Sequence, residues 1–131
     1  MDNKQLILEA KAAREKAYAP YSSHKVGAAL LTKNGKVFTG CNIENASFSP
    51  TICAERTAVA KAVSEGDREF AAIAVVGGKD GVITGICPPC GVCRQVLSEF
   101  CDGDMPVYLG KGKGEFETVT LKDLLPLGFY L

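Results

Sequence analysis

Two cysteine-bearing segments constrain this chain more than anything else in it. They are Thr51-Ile52-Cys53-Ala54-Glu55-Arg56-Thr57-Ala58 and Pro88-Pro89-Cys90-Gly91-Val92-Cys93-Arg94. Each opens an apolar pattern of helical period, so a fold that uses these thiols together must bring two helix starts to one place. Cys90 and Cys93 lie three apart, which sets both sulfurs on one side of a first turn. On the other helix Ala58, Val59, Ala62 and Val63 form a stripe, and Glu55 lies on it. A carboxylate on a buried helix face needs a partner or a task. A first-turn glutamate can also be favoured by the helix dipole alone, but beside Cys53 the chemical reading is the stronger one. Neither start carries an ordinary capping residue, and a thiolate can fill that electrostatic role.

Three thiols and one acid fit a zinc site with three protein ligands, Cys53, Cys90 and Cys93, and one open position. A water held there is acidified towards about pH 7, and Glu55 could take its proton and pass it to a leaving group. That is hydrolytic chemistry at an electron-poor carbon. Arg56 and Arg94 each follow a ligand closely and could offset the thiolate charge. Cys87 leaves a second count open, because Cys87-x-x-Cys90 is also a metal-binding pair and four thiols would make a closed structural site. The intervening prolines send Cys87 and Cys93 away from Cys90 in opposite directions. A thioredoxin-like redox pair has no use for Glu55. A disulfide framework built from these and the remaining thiols, Cys41 and Cys101, requires an oxidising compartment that nothing here implies.

The rest of the chain supplies a frame for that site. Its 131 residues read as one domain, 1–131. Residues 3–18 follow a helical period that Pro20 ends. Val26–Leu31 and Val37–Cys41 are apolar runs around Asn34-Gly35, a hairpin signal. Residues 42–50 read as a polar loop leaving a strand end, a place that often carries binding groups. A helix over 54–63, a strand over 71–76 apolar on both faces and ending in Gly77-Gly78, and a helix to about Cys101 with Val92, Val96, Leu97 and Phe100 inward come next. Strands over 106–109 and 116–119, a short helix over 122–125 and an aromatic tail complete the order. Helices between strands predict a three-layer α/β/α domain with a mixed five-stranded sheet.

Fifteen basic and fifteen acidic residues leave no excess for a nucleic-acid footprint. No apolar run is long enough to span a membrane, and no export signal is evident, so a cytoplasmic setting is expected.

Longer strings carry a resemblance to a known family. Tyr18-Ala19-Pro20-Tyr21-Ser22, Val26-Gly27-Ala28-Ala29-Leu30-Leu31, Gly40-Cys41-Asn42-Ile43-Glu44-Asn45-Ala46, Cys53-Ala54-Glu55-Arg56-Thr57-Ala58, Pro89-Cys90-Gly91-Val92-Cys93-Arg94-Gln95-Val96 and Leu124-Leu125-Pro126 resemble the small homotetrameric cytidine deaminases, in order and over nearly the whole chain. The resemblance implies hydrolytic deamination of cytidine and deoxycytidine in pyrimidine salvage, with one zinc ion per chain. It implies that Cys53, Cys90 and Cys93 bind the ion and that Glu55 shuttles protons to the base and to the departing ammonia. It implies that Asn42 and Glu44 hold the ribose, that the Ala54 N–H meets the pyrimidine O2, and that Arg56 tempers the thiolates. It also implies that Phe129 of a neighbouring subunit packs on the base. Two positions depart from the family pattern. His24 stands where phenylalanine is usual beside the pyrimidine, and it is either a base-contacting residue or a solvated loop residue. Pro88 stands where serine is common. Two other functions stay open: a deaminase for a related cytosine nucleoside such as an antibiotic, and a structural zinc module for protein contacts.

Overall fold

Alternation along the strands sorts side chains to two faces, and each face has its own helical cover. The computed structural model describes residues 1–131. In chain order it contains α1 (Asn3–Arg14), β1 (His24–Thr32), β2 (Val37–Cys41), α2 (Ala54–Ser64), β3 (Phe70–Lys79), α3 (Gly91–Phe100), β4 (Pro106–Gly112), β5 (Glu115–Thr120) and α4 (Leu121–Leu124). The sheet order is β2-β1-β3-β4-β5. Only β3 and β4 pair in parallel, so the sheet is mixed as expected, with α3 inside the crossover between them.

Val26, Ala28 and Leu30 of β1 and Ile73 and Val75 of β3 pack with Ala54, Ala58, Val59 and Ala62 of α2 and Leu97 of α3. On the opposite face Ala29, Ala72, Ala74 and Val76 meet Leu6 and Ala10 of α1. Three layers result. No helix is long and apolar enough to cross a membrane.

The hairpin forms where Asn34-Gly35 predicts it. Leu31 faces Val37, and Gly35 takes φ +89°, which a residue with a Cβ adopts poorly. Other boundaries move. The first helix ends at Arg14, not at residue 18, and Pro20 is not what stops it. Tyr18 is instead drawn into backbone pairing, its N–H donating to Asn42 O while its carbonyl accepts from Glu44 N. β3 continues through Gly77 and Gly78, because β1 continues opposite it through Val26 to His24. Val92, expected to face inward, is exposed, while Leu97 and Ser98 are buried. The tail does not dock on its own chain: Leu127, Phe129, Tyr130 and Leu131 are all exposed.

Candidate active site

The start of α2 is set by close backbone contact. A Cβ on Gly40 would lie 2.4 Å from Ala54 O and 2.6 Å from Ala58 N, so only glycine lets β2 press against this first turn. The Thr57 hydroxyl, one turn in, donates to Cys41 O at 3.0 Å and pins the same junction. Cys53 is the N-cap residue and has extended backbone, and no side chain caps the helix. Cys90 occupies the same position on α3, again without a side-chain cap. Arg94 anchors this second start, donating from Nε to Pro89 O and from Nη1 to Leu124 O, each at 2.7 Å. It therefore fastens α3 to α4 and does not reach the thiols, contrary to the role its position suggests.

The two starts converge. The sulfurs of Cys53, Cys90 and Cys93 all lie within 4.8 Å of one another. Cys53 Sγ and Cys90 Sγ are 3.7 Å apart. Zinc–sulfur bonds of about 2.3 Å in a tetrahedron put ligand sulfurs about 3.8 Å apart, so the donor set fits one zinc ion in chemistry and in spacing. Cys87 is outside the group, which removes the four-thiol closed site, and all six cysteines are free thiols. Arg56 Nη2 donates to Cys53 Sγ at 3.4 Å. The Cys53 thiol is lowered to about 5, chiefly by its hydrogen bond with Cys93 and then by Arg56. Cys93, buried beside that thiolate, is held well above the ordinary thiol range by the same bond and by burial.

Glu55 is only 3% exposed. Burial, with the Cys53 charge adding to it, pushes its carboxyl up to about 7 against the pull of its own backbone N–H. An acid poised there can hold or release a proton near neutral pH.

A cleft of about 240 Å³ opens above the cluster and gathers most of the residues singled out in the sequence. Cys53, Ala54, Glu55 and Cys90 line it together with His24, Asn42, Glu44 and Pro88. The Asn42 and Glu44 side chains already have backbone partners. Asn42 Oδ1 accepts from Val26 N at 2.9 Å and its Nδ2 donates to His24 O at 2.8 Å. The Glu44 carboxylate accepts from Tyr21 N at 2.9 Å, from Ser22 N at 3.1 Å and from the Ser22 hydroxyl at 2.5 Å. The Ser22 hydroxyl, followed by these two amides, holds Glu44 below the usual carboxylate range. Each side chain retains unused capacity: an amide N–H on Asn42 and a lone pair on Glu44. Phe129 is not among the residues that line the cleft.

Five lining residues had no binding role assigned from the sequence: Ser22, Val26, Thr51, Ile52 and Cys87, with Cys87 Sγ 3.6 Å from His24 Nε2. Ser22, Thr51 and Ile52 arrive on loops that pair with one another, which no spacing rule reads, and Cys87 arrives on the connection from β3 to α3. Ile43 bridges both Tyr18 and Ile52, which draws the three loops together.

Converging thiols, an adjacent buried acid and a cleft of small-molecule size define the class: a zinc-binding hydrolase. Residues 1–109 match the family described as the cytidine and deoxycytidylate deaminase zinc-binding region. A cytidine deaminase of Sporosarcina psychrophila is 55% identical over 98% of this chain and 92% of its own length. A cytidine deaminase of Halalkalibacterium halodurans is 54% identical over 98% and 95%. The crystal structure of cytidine deaminase from Burkholderia pseudomallei superposes with a TM-score of 0.89 at 52% identity, covering 98% of this chain and 100% of that one. The chain belongs to the zinc-binding cytidine deaminase family.

Proposed function

We propose that this chain deaminates cytidine and deoxycytidine by hydrolysis, giving uridine or deoxyuridine and ammonia, in the cytoplasm and in the service of pyrimidine salvage. The observation that carries the reading is Glu55, a buried acid that lines one cleft together with Cys53 and Cys90 of the three-sulfur cluster. Identity above one half to cytidine deaminases over nearly the whole chain favours this substrate over a nucleoside antibiotic, and gives no support to a structural zinc module.

Cys53, Cys90 and Cys93 would hold one zinc ion per chain. When bound, the ion would supply an acidified water and a Lewis acid at the open position. Glu55 would pass one proton of that water to N3 of the base as the water oxygen bonds to C4, and then carry the remaining proton of that oxygen to the amine as the C4–N bond breaks. The Ala54 N–H, at the uncapped start of α2, would meet the pyrimidine O2. Asn42 and Glu44 would hold the ribose with the donor and acceptor they have left over. His24 would lie along the base, and Arg56 would restrain the charge of the sulfurs. Residues 1–131 would act as one domain within a homotetramer, with Phe129 of a neighbouring subunit closing the cleft over the base. The exposed tail supports that assembly.

The test is zinc content and loss of cytidine absorbance in wild type and Glu55→Gln. One zinc per chain in both, with turnover reduced at least about a hundredfold in the variant, is the expected result. Retained turnover in Glu55→Gln would refute the assigned role.

A further inference from the structure

Arg14 is a charged side chain of α1 that is only 2% exposed. No carboxylate pairs with it. Its partners are backbone carbonyls on two separate stretches of chain. Nε donates to Lys25 O at 3.0 Å and Nη1 to Gly81 O at 3.2 Å. Nη2 donates to Gly78 O at 3.1 Å and to Val82 O at 3.3 Å. A buried charge without a counter-ion is tolerated only while such dipoles surround it. The planar fork of a guanidinium can hold several carbonyls at fixed angles, which a lysine ammonium cannot do.

Those two stretches carry one wall of the cleft. Lys25 follows His24 on β1. The turn after β3 leads to Cys87, which folds back onto that strand, where a Cβ on Gly77 would lie 2.8 Å from Cys87 Sγ. Cys87 Sγ then stands 3.6 Å from His24 Nε2. Burial keeps the Cys87 thiol protonated, pushing it up to about 11, and the charge of Arg14 pulls weakly the other way. The guanidinium thus sits behind the wall and ties its two halves together.

We propose that Arg14 is a positioning residue that fixes the His24–Cys87 wall and, through it, the fit of the nucleoside base. The kinetic side of this proposal rests on the deaminase reading, and its structural side does not.

Two measurements on the zinc-loaded protein test it. The first is steady-state kinetics on cytidine for wild type, Arg14→Lys, His24→Ala and the double variant. The second is the rate of iodoacetamide labelling of Cys87 relative to Cys101, read by peptide mass. Arg14→Lys is expected to raise KM about tenfold with kcat within about twofold. In the His24→Ala background the same change is expected to alter KM by less than about twofold, because the wall is already gone. Cys87 labelling is expected to accelerate several-fold while Cys101 does not change. An unchanged KM, a fully additive double variant, or equal acceleration at both thiols would overturn the proposal in favour of general loosening. Should the lysine variant fail to fold, Arg14→Gln, which is neutral with two amide donors, is read the same way. If wild type does not turn over cytidine, the deaminase reading fails, and the labelling ratio still decides the role of Arg14.

Discussion

Cys53 and Cys90 hold their sulfurs 3.7 Å apart although 37 positions of chain separate them. The ion that fits between them would join α2 to α3, so its removal should loosen both helix starts. A ligand present at about a hundred times its dissociation constant stabilises by about 2.7 kcal/mol. Chelation is therefore expected to lower the thermal midpoint by roughly 10 °C. Scanning fluorimetry with and without chelator checks this, and an unchanged midpoint would speak against a metal joining the helices.

Glu44 depends on the Ser22 hydroxyl and on two backbone N–H groups for its placement. Ser22→Ala removes the shortest of these contacts. KM for cytidine should rise about threefold to tenfold with little change in kcat, as expected for loss of ground-state binding. The lowered carboxyl of Glu44 means the clasp is complete above the ordinary carboxylate range and is lost only as pH falls below it. This clasp should therefore add no slope to KM between about pH 6 and 8. A KM that ignored Ser22→Ala would remove Ser22 from the ribose side of the site.

Cys101 gives a stability prediction with a definite sign. Burial first, and then the charge of Asp102, push its thiol from 9.0 up to about 12. Above pH 9 the unfolded chain releases this proton while the folded chain keeps it. The unfolded state then binds fewer protons, and stability falls with rising pH until the folded value is passed. The slope from this group is at most about 1.4 kcal/mol per pH unit. Urea midpoints at pH 8 and pH 10.5 should fall further apart in wild type than in Cys101→Ala. Equal separations would mean that Cys101 ionises as freely in the folded state as in the unfolded one.

Phe129 and Leu131 are 67% and 119% exposed in the isolated chain, an apolar surface with no partner on its own molecule. Light scattering is expected to give about four times the 13.9 kDa chain mass. Phe129→Ala should keep that mass and raise KM about tenfold. A monomeric wild type, or an unchanged KM, would detach the tail from the cleft.

The sulfur cluster and its neighbouring acid were the most legible part of this sequence, because metal ligands and proton carriers are particular atoms at characteristic spacing. Cys53, Glu55, Cys90 and Cys93 could be named from two short strings, and the sheet from the alternation of apolar runs. What escaped was set by contacts between distant loops. Nothing local to Tyr18 says that it will pair with Ile43 and end a helix early. Arg94 looks like a counter-charge for thiolates until α4 brings the Leu124 carbonyl within reach. Val92 falls at a helical spacing from Val96 that places it inside, yet it sits in the first turn of α3 and is exposed. The partner of Cys87 was hidden for the same reason, since His24 reaches it only once β1 and β3 are paired.

The single parallel pair in the sheet has a consequence for how the protein assembles. α2, with Cys53, packs against the β1–β2 hairpin, whose contacts are local in sequence. Cys90 and Cys93 lie within the crossover that ends when β4 joins β3, a pairing that must first close a long loop. Cys53 and the Cys90–Cys93 pair thus stand on opposite sides of that closure, and an ion shared by all three sulfurs would tie the hairpin-packed helix to the crossover helix.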